Sequence, residues 1–146
     1  MFNYSLLSKP KISIDRITID TILKTISKTI EKKQYWTINL IFLAPVSIKN
    51  LNNKYRKINK NTDVLSFAYY DNFNNLNNND IAWELIFSEE KIKIQALEYG
   101  LGEEKEFYKL LIHSMLHLLW YDHEKDDEYK VMKNQEEKIW KQIFEK

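Results

Sequence analysis

The chain contains no cysteine. Disulfides and thiolate metal ligands are therefore excluded, and any zinc must be held by histidine and oxygen. Absence of cysteine also fits a reducing compartment. Glycine and proline number 2 each, and no linker or internal repeat divides the sequence. No apolar run approaches the length that crosses a bilayer. The opening residues, Met1-Phe-Asn-Tyr-Ser5, lack the basic, apolar and small-residue zones of a signal peptide. A cytoplasmic location without membrane attachment is the resulting expectation. Histidine is nearly as scarce, with 3 in 146 residues, and all fall between His113 and His123.

What is present is the composition of a soluble globular domain, 44% hydrophobic and 29% charged. The length suits one domain, 1–146, with an ordinary core. A net charge of +1 hides an asymmetry: residues 1–62 carry 12 Lys/Arg against 3 Asp/Glu, whereas residues 63–146 carry 10 against 18. Lys49, Lys54, Arg56, Lys57 and Lys60 form a basic cluster without an acid between them. Such a cluster is either a solvated face or a surface for a polyanion.

Periodicity predicts an α+β fold. Extended segments are expected at 2–7 and 12–14. A helix over about 18–33 carries the apolar stripe Ile19, Ile22, Leu23, Ile26 and Ile30. Strands are expected over 35–43, 63–69 and 81–87, where β-branched and aromatic residues concentrate. Ser47 is the expected cap of a short helix over 48–56. The asparagine-rich stretch 71–79 reads as a loop. Ser88 caps a helix closed by Gly100. Glu103, Glu104 and Glu106 open the next, over about 103–119, and Asp126 opens the last, to about 144, with Tyr129, Met132, Ile139 and Ile143 inward.

His113 and His117 are four residues apart, so a helix places them on one face. His123 follows after six more, far enough to return from the next bend. Three such imidazoles surround one Zn²⁺ and leave a fourth position open. The alternative is a pair of core histidines bonded to backbone carbonyls. The register of the three matches the metzincin peptidases, but Ser114 stands where those enzymes carry the Glu that acts as general base. Peptide hydrolysis is accordingly the weaker reading.

The segment His113-Ser-Met-Leu-His-Leu-Leu-Trp-Tyr-Asp-His123 resembles the signature of the YbeY endoribonuclease family. Leu51-Asn52-x-x-Tyr55-Arg56 and Thr62-Asp-Val-Leu-Ser-Phe67 resemble a second block of that family, and Glu84 to Ser88 with Gln95-Ala96 a third, weaker one. Together they span about 51–123 in the family's order. Where the family carries glycine this chain has Ser114, Trp120 and Trp83, and where it carries proline, Asn61 and Ala68.

The resemblance implies a mixed sheet of about four strands packed with helices. It implies a single-strand-specific, zinc-dependent endoribonuclease of ribosomal RNA, acting in 3′-end maturation of the small-subunit RNA and in ribosome quality control. Its partners would be single-stranded rRNA and the small subunit or its assembly factors. One Zn²⁺ per chain would be held by His113, His117 and His123, and the family's functional arginine maps to Arg56. Asp122 and Glu84 are candidate carboxylates for orienting a ligand or acting as base. Asp122 equally suits a plain turn residue. Ser66 is a candidate substrate contact or a solvent-facing residue, and Tyr121 and Phe67 are candidates to stack on unpaired bases, with burial in the core the stronger reading for Phe67. A non-catalytic RNA-binding assembly factor is the alternative of another class, and a zinc peptidase-like hydrolase a third.

Overall fold

The computed structural model describes residues 2–29, 36–56, 63–70, 76–77, 79–120 and 126–145. These form four strands, β1 (Asn3–Leu6), β2 (Thr37–Leu43), β3 (Val64–Ala68) and β4 (Ile81–Ser88). Five helices accompany them: α1 (Arg16–Thr29), α2 (Pro45–Arg56), α3 (Glu89–Tyr99), α4 (Glu103–Trp120) and α5 (Asp126–Phe144). The sheet is mixed, in the order β1-β2-β4-β3, with β1, β2 and β4 parallel and β3 antiparallel at the edge. The expected α+β class is what forms.

Both faces of the sheet are covered, which is why β2 and β4 read as nearly continuous apolar runs. Alternation along β4 sends Trp83, Leu85 and Phe87 to one side, where they join Ile38, Leu40 and Phe42 of β2 in the main core. Ile19, Ile22 and Ile26 of α1 join them there, with Ile92 of α3, Phe107, Leu111 and Met115 of α4, and Met132 and Ile139 of α5. The other side sends Ile86 and Leu65 against Ile48 of α2, with Leu51, Ile41 and Leu43 around them. So α2 lies across the sheet from α4.

An aromatic triad sets the rotation of α4. Phe107 lies 5.3 Å from Phe42 and 5.2 Å from Phe87, ring centre to ring centre. Leu111 and Met115 continue the buried side, each fully covered and contributing about 1.5–3 kcal/mol. At 100° per residue, positions 113 and 117 fall about a quarter to a third of a turn from Phe107. Both face out.

The structure moves three expected boundaries. Helix α1 starts at Arg16 because the Asp15 carboxylate accepts from Ile17 N–H at 3.3 Å and from the Thr18 hydroxyl at 2.8 Å, a cap in place before residue 18. Helix α2 starts at Pro45, whose fixed φ and missing N–H suit a first helical position, so Ser47 is not its cap. Residues 12–14 join no strand. The N–H groups of Lys11 and Ile12 instead donate to the Glu89 carboxylate, at 2.9 and 3.3 Å. Ser88 and Gly100 cap α3 as expected, Gly100 at φ 72°. Among the described residues no helix is long and apolar enough to cross a membrane.

Candidate metal and phosphodiester site

Lys109, His113 and His117 follow at four-residue steps along the solvent side of α4, and all three are exposed. The two imidazoles are nearly parallel, 15° apart, with centres separated by 6.4 Å. Neither is a core histidine. His113 bonds a carboxylate, through Nδ1 to Oε1 of Glu136 on α5, not a backbone carbonyl. That bond raises the pKa of His113 above its ordinary value, against the burial that lowers it; Asp63 adds to the rise and Lys109 opposes it.

Two imidazoles one turn apart, both open to solvent, are the donor set from which zinc takes nitrogen ligands. A carboxylate at the far nitrogen of one ring is the usual companion of such a ligand. The residues present therefore fit the ion. Among the described residues no group of three or more His, Cys, Asp or Glu is placed to hold a metal ion. His123 and Asp122, like Tyr121, lie outside the described residues, as does the side chain of Arg56, whose backbone closes α2.

The edge strand β3 borders this end of α4. Asp63, just before β3, is held in place: Ser88 N–H donates to its carbonyl at 2.9 Å and the Gln95 amide donates to its carboxylate at 3.3 Å. Val64 and Ser66 share the sheet face that α4 covers, whereas Phe67 points with Leu65 toward α2. Glu106, two turns before His113 on α4, is only 3% exposed. Burial raises its carboxyl pKa first, Lys109 lowers it, and Asp63 raises it further.

Glu84 is not brought to the histidines. It pairs in register with Asn39 and Phe67 on the α2 face of the sheet, opposite Trp83, and accepts a hydrogen bond from the Tyr69 hydroxyl. Sequence reasoning missed Glu136 and the burial of Glu106. Glu136 left a trace: it is the acid in the otherwise apolar α5 stripe Met132, Glu136, Ile139, Ile143. Glu106 left none, because a first-turn acid is expected to face solvent.

The profile of the family described as Endoribonuclease YbeY matches residues 8–144. The Endoribonuclease YbeY of Caldicellulosiruptor bescii is 37% identical over 134 residues, covering 86% of this chain and 84% of the relative. That of Mycoplasmopsis pulmonis is 37% identical over 113 residues, covering 76% and 75%. The solution structure of TM1509 from Thermotoga maritima superposes with a TM-score of 0.57 at 23% identity, covering 97% of this chain and 91% of that one, and supports the fold. With its sheet order, its exposed α4 histidine pair and a match over nearly its whole length, this chain belongs to the YbeY family of endoribonucleases.

Proposed function

We propose that this chain is a zinc-dependent endoribonuclease that cuts single-stranded RNA in the cytoplasm. Its substrate in the cell would be ribosomal RNA, in 3′-end maturation and quality control of the small subunit, with that subunit or its assembly factors as partners. The observation that carries the reading is the exposed pair His113 and His117, parallel on α4, with Glu136 bonded to Nδ1 of His113. His113, His117 and His123 would hold the ion. Bound there, zinc supplies Lewis acidity toward a phosphodiester.

The chain's own residues divide the remaining work. Arg56 closes α2 and is one of only two arginines, with Arg16. Its planar guanidinium grips two phosphate oxygens at once, which an ammonium does not reproduce. Asp122, beside His123 in sequence, is suited to accept from a ligand imidazole and keep its lone pair on the metal side. The basic cluster Lys49 to Lys60 lies in and just after α2 and offers charge to the RNA backbone.

The test is metal analysis of the purified protein, followed by incubation with unstructured RNA and with casein. Zinc near one per chain, RNA cleavage and intact casein support the proposal. His113→Ala and His117→Ala should each lose zinc and cleavage together. RNA binding that persists after cleavage and zinc are gone, with full ribosome assembly in cells, would favour a non-catalytic assembly factor. End-group analysis identifies the nucleophile: a 2′,3′-cyclic phosphate marks attack by the ribose hydroxyl.

A further inference from the structure

We infer that Glu136 is a positioning residue for His113, fixing which ring nitrogen is free to bind; this rests on the reading of His113 as a metal ligand. A neutral imidazole carries one proton and two candidate sites for it. An ionised carboxylate can only accept. Its bond to Nδ1 therefore holds the proton on that nitrogen and leaves the lone pair on Nε2, and it also restrains rotation of the ring.

The placement of Glu136 makes it suited to the task. It comes from a different helix than its partner, 23 residues away in sequence. Met132 and Ile139, one turn to either side, are 3% and 0% exposed, so the backbone beneath Glu136 is anchored in the main core. The pair itself is at the rim, with Glu136 side chain 23% and His113 side chain 46% exposed. Lys109, one turn before His113, has its ammonium over the Tyr99 ring, 4.8 Å from the centre. Glu136 also lines a cavity of about 420 Å³ between α4 and α5, together with Lys109, Ile112, Lys133 and Trp140. Docking of α5 is thus linked to the orientation of a ring on α4 through Glu136.

The experiment compares the wild-type chain with Glu136→Ala and Glu136→Gln, in two measurements. Long-range ¹H–¹⁵N spectra of the metal-free proteins, at a pH where the ring is neutral, report the tautomer of His113. Competition against a chromophoric chelator reports zinc affinity. The expected result is an Nδ1–H ring in the wild type and in Glu136→Gln, whose amide oxygen still accepts. Glu136→Ala should shift toward the Nε2–H form and bind zinc about 10–100-fold more weakly. An unchanged tautomer and unchanged affinity in Glu136→Ala would overturn the inference and leave the metal reading standing. A wild-type chain that takes up no zinc would overturn the metal reading, and the inference with it, whatever the spectra show.

Discussion

Glu106 and His113 lie seven residues apart along α4, and the carboxylate of Asp63, at the head of the edge strand, acts on both. It favours the charged imidazole and disfavours the charged carboxylate. Glu106 also loses water, being buried where its Oε2 meets no hydrogen-bond partner among the described residues.

A pH dependence follows. The folded chain holds a proton on Glu106 more tightly than the unfolded chain, whose carboxyl titrates near the ordinary 4.5. The stabilising contribution is fully present below that value and is lost as pH rises through the folded pKa. Glu106→Gln keeps the shape and removes the charge. Denaturant midpoints should show it more stable than wild type at about pH 7, with the gap closing toward about pH 4. Equal midpoints for both chains across that range would remove Asp63 and burial as the cause.

Ile48 gives a second test, on the opposite face of the sheet. It fills the small cluster with Leu65 and Ile86 and is fully buried. Ile48→Ala should cost about 2–5 kcal/mol. Because α2 ends at Arg56 and the histidines stand on α4, the variant should lose RNA cleavage while keeping zinc affinity. Chemical denaturation and chelator competition measure the two effects separately. Loss of zinc affinity at unchanged cleavage would contradict the division of labour between the two faces.

Much of this was legible before the structure. The apolar stripes of α1 and α4, the Ser88 and Gly100 caps and the strands β2, β3 and β4 all follow from spacing and side-chain type. The pair His113 and His117 was legible because four residues is one helical turn. What was not legible depends on contacts distant in sequence. Glu89 takes the N–H groups of Lys11 and Ile12, 78 and 77 residues away, and so keeps 12–14 out of the sheet. Glu84 resisted assignment for another reason. With both faces of β4 covered, Trp-Glu-Leu-Ile-Phe offers no polar alternation to say which face the carboxylate takes. Glu136 reaches His113 only because α5 packs on α4.

Zinc should stabilise the fold if the histidines hold it. A ligand that binds only the native state at 100 times its Kd adds about 2.7 kcal/mol. Thermal melts with and without zinc should therefore separate by several degrees in the wild type and coincide in His117→Ala. His117 is exposed, so its replacement leaves the core of α4 intact. A zinc-dependent shift that persists undiminished in His117→Ala would place the ion elsewhere.

Arg56 separates charge from geometry. Arg56→Lys preserves the positive charge at the end of α2 but replaces a flat fork with a single ammonium. If the fork grips the phosphate as it is cut, Arg56→Lys and Arg56→Ala should both lower kcat by about 10²-fold or more, a transition-state loss like that of an oxyanion donor. Zinc content should match wild type in both, since neither removes an imidazole. RNA binding should divide them. The lysine variant should keep the salt dependence of binding, whereas the alanine variant loses about one unit of slope in log affinity against log salt. If Arg56→Lys restores full cleavage, the residue contributes charge alone, and the bidentate role passes to another side chain.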